Sequence, residues 1–485
     1  MGVTLFKNCK FLFGGADPES VSTGLSVAVE DDRILFLGTE KEYYEQHPEK
    51  SLPTVIDCTD KLVMPGLVDG HNHLCNTLMN ISRAFPFDYS HISDHMLTTI
   101  HDPYGWLTPE SLYDITMTSA INALKHGTTT VENSTILPDT AYEAMDTSGI
   151  RGILAPQMAS SFRLDSDPLN WKQALEKTKS CIEHYHNPKR RMSVAVHIHD
   201  LWDCMEKLMD GALELAEQYD TRFVTHFWEF QNAVERADEM WRDDGGAFSH
   251  YMKKGLITSR SVLFHGSMLR EPEIEAIAGT GASIIHNPDI NGTNCGNCAY
   301  VPYMLKNGIN VGLGSDYGSL DAMSAMKLML IVHNIMPRAE RVLPYQAPFY
   351  AATMGSARAY GLDQEIGSIE PGKKADIITI DLKKAPHLLP LCTSLLEVSP
   401  ELLYFLFTRN CAGTTTSETM VDGKLLRRDG KFLNLDEEKF VKKTFDWTER
   451  CMTDLMEKHR FGEHYARIIH PDFMKDGDIT WDVLN

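Results

Sequence analysis

Two histidines of this sequence, His71 and His73, end an apolar segment that begins at Val63 and is interrupted by Pro65-Gly66. Side chains two residues apart along a β-strand point to the same face, so both imidazoles can reach one ion at the end of a strand. Taken alone, a His-x-His tripeptide is more often two ordinary polar residues at a strand end. The rest of the chain decides between these two interpretations.

The elements that would position such an ion are short apolar segments that alternate with helical stretches. One helix has a clear start, because Thr108 can cap it and Pro109 fits its first turn. Eight segments have the length and the aliphatic content of buried parallel strands. The predicted strands are residues 66–69, 128–131, 152–155, 193–196, 222–225, 262–264, 282–285 and 309–314.

Polar side chains lie at or just past the C-terminal ends of these strands. They are His71, His73, His197, His199, His226, His265, His286 and Asp316. In a closed (β/α)8 barrel the C-terminal strand ends form the one face that carries active sites, whereas a doubly wound open sheet would scatter them on both sides of its switch point. The sequence therefore predicts a (β/α)8 TIM barrel with its chemistry on that face.

Short alternating strands at both ends of the chain predict a second, smaller domain. Residues 4–6, 25–29 and 33–38 form such strands before the barrel, and residues 377–380 and 421–426 follow it, the latter as a hairpin. We therefore predict a small β-sandwich domain built from both chain termini. The predicted limits are 1–62 and 363–432 for the two parts of this domain, 63–362 for the barrel and 433–485 for a C-terminal helical tail.

The composition is that of a globular protein, with 43% hydrophobic and 23% charged residues. A net charge of −21 argues against nucleic acid or an acidic membrane as a partner. No cationic, apolar leader is recognisable and the longest apolar run, 402–407, is too short to span a bilayer, so we expect a cytoplasmic protein. Ten scattered cysteines suit a reducing compartment, and Cys295 and Cys298 are interpreted as two loop cysteines rather than half a zinc site.

Six motifs resemble those of the amidohydrolase superfamily, and within it the branch of aminated-heterocycle deaminases and triazine chlorohydrolases. They follow one another in the order typical of that family and are highly specific as a set. The motifs occupy residues 64–73, 127–130, 225–229, 264–266, 312–316 and 366–376.

The resemblance implies a metal held by the His-x-His of strand one, a histidine of strand five and an aspartate of strand eight. Three neutral imidazoles and one carboxylate suit Zn²⁺, or Fe²⁺, better than Mg²⁺. Binuclear members need a lysine at strand four, and residues 193–199 contain none, so one divalent metal per chain is expected. His197 and His199 are interpreted as substrate contacts or barrel lining rather than ligands of a second ion. The implied ligands are His71, His73, His226 and Asp316.

The resemblance also assigns the proton-transfer residues. Glu229 is the proton shuttle, His265 orients the attacking water, and Asp316 takes the proton of that water. A bound metal lowers the pKa of its water from 15.7 to about 7, which makes hydroxide available at neutral pH. The hydroxide adds to a ring carbon beside nitrogen, and Glu229 protonates the ring nitrogen.

Four further residues are predicted to bind the substrate. His286 matches a strand-seven histidine that the deaminases place against the substrate ring, which favours a nitrogen leaving group. Asn287 stands where those deaminases have Cys, Trp228 is bulkier than their pattern before Glu229, and Tyr317 replaces a small residue. These departures affect the pocket rather than the metal, and Trp228 and Tyr317 are either pocket walls or packed structure.

The sequence therefore predicts a metal-dependent hydrolase that releases ammonia from a nitrogen heterocycle such as a purine, a pyrimidine or an s-triazine. Its partners are a small heterocyclic substrate and water, and a homodimer or larger homo-oligomer is expected. One alternative is dechlorination or alkylamine removal on a triazine-like ring. A second alternative is the hydrolytic opening of a cyclic amide, and a third is a barrel without catalytic activity.

Overall fold

The computed structural model describes residues 2–15, 21–48, 53–75, 108–158, 171–318, 320–335, 343–388 and 399–459. Within them the strands are β1 (Val3–Lys7), β2 (Phe11–Phe13), β3 (Val21–Ser22), β4 (Ser26–Glu30), β5 (Arg33–Gly38), β6 (Thr54–Asp57), β7 (Lys61–Pro65), β8 (Leu67–Asp69), β9 (Thr128–Thr135), β10 (Arg151–Met158), β11 (Met192–Val194), β12 (Val196–Asp200), β13 (Phe223–Phe227), β14 (Ser261–His265), β15 (Ser283–His286), β16 (Asn310–Leu313), β17 (Ile377–Asp381), β18 (Glu418–Val421), β19 (Lys424–Arg428) and β20 (Lys431–Phe432).

The helices of the same residues are α1 (Glu40–Gln46), α2 (Pro109–Lys125), α3 (Pro138–Ser148), α4 (Trp171–Tyr185), α5 (Glu206–Gln218), α6 (Gln231–Met240), α7 (Ala247–Lys254), α8 (Glu271–Ala278), α9 (Val301–Lys306), α10 (Ala322–Ile335), α11 (Ala347–Tyr350), α12 (Ser356–Ala359), α13 (Pro400–Asn410) and α14 (Glu437–His459). Single turns of other helix types occupy Leu201–Asp203, Arg242–Asp244, Pro288–Ile290, Asn291–Cys295 and Ala351–Gly355.

Eight parallel strands form the barrel, in the order β8, β9, β10, β12, β13, β14, β15 and β16. The first and last strands meet at the C-terminal end, where the backbone N–H of Gly70 donates to the carbonyl of Leu313 at 2.8 Å and that of Asp316 to the carbonyl of His71 at 2.8 Å. The predicted (β/α)8 barrel is confirmed. The closure also ties the His-x-His segment directly to Asp316.

The first barrel helix begins where the sequence predicts. Thr108 caps α2 by accepting a hydrogen bond from the backbone N–H of Ser111 at 3.2 Å, and Pro109 occupies the first turn. Such a cap is worth about 1 kcal/mol. The helix ends at Lys125, and Gly127, with φ of +91°, turns the chain into β9.

Two antiparallel-rich sheets from both ends of the chain form the small domain, as predicted. One sheet has the order β5-β4-β1-β6 and the other β20-β19-β18-β17-β7-β2-β3. Buried side chains of both sheets share one hydrophobic core, among them Phe6, Val27, Ile377 and Met420. Strand β7 belongs to this domain and crosses the predicted boundary between residues 62 and 63; the domain limits otherwise stay predictions.

The turn from the small domain into the barrel depends on Gly66. Its backbone N–H donates to the carbonyl of Asp376 at 2.9 Å. A Cβ atom at this position would lie only 2.0 Å from Oγ1 of Thr129 on the neighbouring strand. Only glycine therefore allows strands β8 and β9 to approach so closely. This close approach sets the position of β8, and so of His71 just past its end.

Two predicted strands differ from the structure in extent. Strand β9 continues four residues beyond its predicted end at 131, and strand four is split into β11 and β12. Helices α11 and α12 are joined by the π turn Ala351–Gly355. The C-terminal helix α14 packs on α2 through Asp114, which accepts hydrogen bonds from Lys443 at 2.6 Å and Trp447 at 3.2 Å.

No helix of the described residues is long and apolar enough to cross a membrane. Six of the described cysteines are free thiols: Cys9, Cys58, Cys181, Cys295, Cys298 and Cys411.

Candidate active site

The four predicted metal ligands lie together at the C-terminal end of the barrel. Nε2 of His71 and Nε2 of His73 are 3.6 and 3.5 Å from Oδ1 of Asp316. The ring of His226 has its centroid 4.8 Å from that of His71. All four side chains are buried. Together with Glu229 and His265 they are called the catalytic cluster below.

His71 is held by a buried carboxylate that sequence reasoning missed. Nδ1 of His71 donates to Oε2 of Glu132 at 3.0 Å, and the backbone N–H of Asn72 donates to the same oxygen at 3.2 Å. Ser134 donates to the other oxygen at 2.8 Å. Burial raises the pKa of Glu132 well above its ordinary value, and the hydrogen bonds from Ser134 and Asn72 oppose that rise.

These contacts fix the tautomer of His71. Burial, reinforced by neighbouring histidines, lowers the pKa of His71 well below its ordinary value, so the ring is neutral. With its proton on Nδ1 facing Glu132, the ring keeps a lone pair on Nε2. That atom is buried and has no hydrogen-bond partner among the described residues. An orphaned buried acceptor costs about 1–3 kcal/mol, and an ion at this point removes the cost.

His226 is oriented in the same way, but by a backbone group. Its Nδ1 donates to the carbonyl of His199 at 2.6 Å, which leaves the Nε2 lone pair of His226 for a metal. Strand four therefore contributes to the site through the backbone of His199, while the fully buried ring of His197 lies 5.7 Å from His226 between centroids. The barrel-lining interpretation of His197 fits this position.

His265 carries the opposite tautomer. Amide nitrogens of Asn287 and Asn291 lie 3.3 and 3.2 Å from its Nδ1. An amide nitrogen can only donate, so Nδ1 accepts and the proton of the neutral ring is on Nε2. That Nε2 is 3.6 Å from Oε2 of Glu229 and 3.8 Å from Oδ2 of Asp316. A protonated Nε2 cannot bind a metal, which fits a residue that orients water.

The donor set therefore suits a divalent ion of the Zn²⁺ or Fe²⁺ type. His71, His73 and Asp316 offer ligand atoms within 4.8 Å of one another. Nitrogen-rich ligation with one carboxylate is disfavoured for Mg²⁺, which prefers oxygen ligands.

Backbone strain is concentrated in this region. Trp228, His265 and Asp316 have φ of 52°, 71° and 50°, in the left-handed region that non-glycine residues avoid. Such conformations persist only where the surroundings hold them, and they are common at functional sites. Asp69, which sequence reasoning also missed, is one such support, because Oδ1 accepts from the backbone N–H of Ser315 at 3.0 Å.

The two predicted aromatic pocket residues have different surroundings. Tyr317 stacks on His73, with ring centroids 4.1 Å apart and an interplanar angle of 7°. Trp228 stacks on Phe227 at 4.2 Å and meets Tyr251 edge-on at 5.8 Å. Tyr317 thus touches a metal-ligand candidate, whereas Trp228 lies in an aromatic stack.

The two predicted polar pocket residues, Asn287 and His286, also lie in different surroundings. Asn287 contacts His265, as described above. His286 is fully buried, with its Nε2 3.3 Å from Nε2 of His333 and 3.7 Å from Sγ of Cys298. Substrate contact by any of the four pocket residues stays a prediction.

Comparison with known proteins agrees with this geometry. Residues 62–426 match the model of the amidohydrolase family. This chain belongs to that family. It is 30% identical over 394 residues to a 5′-deoxyadenosine deaminase of Methanosphaera stadtmanae, covering 79% of this chain and 86% of the relative. It is 28% identical to a 5-methylthioadenosine/S-adenosylhomocysteine deaminase of Nitratidesulfovibrio vulgaris, covering 85% and 89%.

The fold has solved counterparts as well. The atrazine chlorohydrolase of Arthrobacter aurescens TC1, crystallised with zinc, superposes with a TM-score of 0.79 at 20% identity and covers 92% of this chain and 100% of its own. The predicted family, fold and enzyme class are confirmed: the chain is a hydrolase acting on carbon–nitrogen bonds, and its relatives support metal-dependent deamination of a nitrogen heterocycle.

Proposed function

We propose that this protein is a one-zinc deaminase that removes the 6-amino group of an adenosine whose ribose carries no free 5′-hydroxyl. The observation that supports the chemistry is the pair of opposite tautomers, His71 with a free Nε2 lone pair and His265 with Nε2–H between two carboxylates. The named activities of the two relatives support the substrate class.

His71, His73, His226 and Asp316 are the proposed ligands of a single Zn²⁺. When bound, the ion would supply Lewis acidity and lower the pKa of its water, so that hydroxide is available at neutral pH. The ring nitrogens of His71 and His226 are already in the required tautomer, so the chain does not need to rearrange to bind the ion.

The remaining steps belong to the protein's own groups. Asp316 accepts a proton from the attacking water, and the Nε2–H of His265 donates to that water's oxygen and aligns it. Glu229 donates a proton to the purine ring nitrogen beside the attacked carbon. The carbon–oxygen bond forms, and the water proton held by Asp316 passes to the amino group, which leaves as ammonia when the carbon–nitrogen bond breaks. The remaining hydroxyl proton returns to Glu229, which restores the proton donor and leaves the keto product.

Two of the four predicted pocket residues, Asn287 and Tyr317, have a proposed role that follows from their contacts. Asn287 acts with Asn291 by holding the His265 tautomer, in addition to its predicted substrate contact. Tyr317 limits the pocket by stacking on His73. Trp228 and His286 stay predicted substrate contacts.

Ammonia release from a substrate panel tests the proposal. The panel contains 5′-deoxyadenosine, 5′-methylthioadenosine, adenosine, aminopyrimidines, and amino- and chloro-triazines, each with zinc-loaded and chelated protein. We expect zinc-dependent ammonia from the two 5′-modified adenosines above that from adenosine. Chloride or alkylamine release from a triazine would support the dechlorination alternative, and an opened ring would support the cyclic-amide alternative.

The cytoplasmic location and the homodimer or larger homo-oligomer stay predictions. Light scattering on the purified chain measures the mass in solution, and a monomer mass would contradict the second prediction. Fractionation of the source cells tests the first.

A further inference from the structure

A second cluster of metal-type ligands lies outside the catalytic cluster. It consists of His286 at the end of β15, Cys298 in the segment before α9, and His333 near the end of α10, and is called the His-Cys cluster. One ligand atom from each residue lies within 4.8 Å of the other two. All three side chains are buried, with His286 and His333 fully inaccessible and Cys298 8% exposed.

The distances within the His-Cys cluster match a tetrahedral zinc site. Zn–N bonds of about 2.0–2.1 Å and a Zn–S bond of about 2.3 Å at tetrahedral angles place two nitrogens ~3.3 Å apart and a nitrogen and a sulfur ~3.6 Å apart. The Nε2 atoms of His286 and His333 are 3.3 Å apart, and Nε2 of His286 is 3.7 Å from Sγ of Cys298. The same 3.3 Å separation also allows an N–H···N hydrogen bond between the two neutral rings, which a metal ion would replace.

The protonation states suit the same ion. Burial lowers the pKa of His286 well below its ordinary value and that of His333 to about 4, so both rings are neutral and hold lone pairs. Burial raises the pKa of the Cys298 thiol to about 12, so this group keeps its proton until a cation replaces it.

We propose that His286, Cys298 and His333 bind a second Zn²⁺ ion, distinct from the catalytic one, and that His286 serves this ion in place of its predicted substrate contact. On binding, the S–H bond of Cys298 breaks, its proton passes to solvent, and bonds form from the ion to the thiolate and to Nε2 of both imidazoles. Water completes the fourth position, as in other three-ligand zinc sites. Thiolate and imidazole ligands select a soft ion and exclude Mg²⁺ and Ca²⁺.

The neighbouring Cys295 does not belong to this site. Its Sγ lies 3.8 Å from Oε1 of Glu229, on the side of the catalytic cluster. The two thiols of the Cys-x-x-Cys motif therefore lie at two different clusters. This division supplies a matched control for the experiment.

Cobalt replacement distinguishes the two sites, because only the His-Cys cluster offers a proposed thiolate ligand. The full chain is stripped of metal and titrated with Co²⁺, and the thiolate-to-cobalt charge-transfer band in the near ultraviolet is recorded. We expect the band in the wild type, in Cys295→Ser and in Asp316→Asn, which lacks a catalytic ligand. We expect its loss in Cys298→Ser and in His333→Gln.

Zinc content after desalting gives a second measurement. We expect two ions per wild-type chain and one per chain of Cys298→Ser or His333→Gln. Added Zn²⁺ should raise the Tm of the metal-free wild type in two separable steps, and the Tm of either variant in one step. Circular dichroism of the metal-free variants checks that they fold. A single wild-type zinc, or a charge-transfer band that survives Cys298→Ser and is lost in Cys295→Ser, would overturn the proposal.

Discussion

The catalytic cluster and the His-Cys cluster are both built around buried histidines near the C-terminal ends of the barrel strands, but they differ in what holds each Nδ1 atom. In the catalytic cluster, Nδ1 of His71 donates to Glu132 and Nδ1 of His226 to a backbone carbonyl. In the His-Cys cluster, Nδ1 of His286 and of His333 have no hydrogen-bond partner among the residues that the structure describes.

The difference shows which cluster is organised in advance for an ion. A hydrogen bond at the far nitrogen fixes the tautomer and orientation of a metal-binding imidazole, and its removal typically costs 10–100-fold in metal affinity or activity. The catalytic cluster should therefore bind its ion more tightly. The His-Cys cluster relies on burial and on the thiolate, so its ion should leave first.

The largest effect is expected for Asp316→Asn. The amide keeps the shape of the side chain but loses the negative charge that binds the ion and the base that accepts the water proton. We expect kcat/KM to fall by at least about 10³-fold, with loss of the catalytic ion. Steady-state ammonia release and zinc content measure the two effects, and a variant with near-normal activity would contradict the proposed role.

Glu229→Gln should lose nearly as much activity as Asp316→Asn, but through the loss of proton transfer rather than of the metal. Glu229 is a proposed proton donor and not a metal ligand, so the variant should lose about 10²–10⁴-fold in kcat and keep its metal content. Loss of zinc from Glu229→Gln would instead show that Glu229 binds the ion. The contrast with Asp316→Asn thus separates proton transfer from metal binding within the catalytic cluster.

Asn291→Asp tests the tautomer of His265. A carboxylate at this position can only accept a hydrogen bond, so it favours the His265 tautomer with the proton on Nδ1. Nε2 then has no proton to donate to the water, and water alignment is lost. We expect kcat to fall by about 10²-fold, with KM little changed and the pH–rate profile altered. In Asn291→Ala, the amide of Asn287 still donates to Nδ1, so the loss should be smaller and the profile unchanged; equal losses in both variants would indicate a merely structural role.

Glu132→Gln replaces the carboxyl group behind His71 with an amide that still offers one oxygen as a hydrogen-bond acceptor. We expect zinc affinity at the catalytic cluster to fall by about 10-fold, and by up to 100-fold in Glu132→Ala. Competition with a chelator of known affinity measures the change. The His-Cys cluster should be unaffected, so an equal loss of both ions would point to a general loss of structure.

The sequence predicts the strands and the start of the first helix well, and it points to His71 and His73, because those signals are local. The Thr108 cap, the eight apolar segments and the His-x-His spacing each depend on residues close together in the chain. Glu132 was missed because the polar run 132–135 resembles a loop after strand two. In the barrel these residues continue β9, and Glu132 and Ser134 find polar partners at the C-terminal face.

The supporting contacts could not be predicted, because they join residues distant in the chain without a spacing rule. Asn291 reaches His265 by way of the π turn Asn291–Cys295, which no propensity signals. His333 meets His286 across 47 residues, by the packing of α10 against the end of β15. For Glu132 the sequence does contain a signal, because this polar residue directly follows the predicted strand of residues 128–131.

The order of metal release tests the comparison in a single sample. Wild-type protein loaded with cobalt is equilibrated with rising concentrations of a chelator, and the charge-transfer band and ammonia release are followed together. Each Nδ1 without a partner is expected to weaken binding by about 10–100-fold, so the band should disappear at a lower chelator concentration than the activity. If activity disappears first, the buried thiolate holds its ion more strongly than the hydrogen-bonded imidazoles of the catalytic cluster hold theirs. Fixing the histidine tautomers would then contribute less to metal affinity in this barrel than the thiolate ligand does.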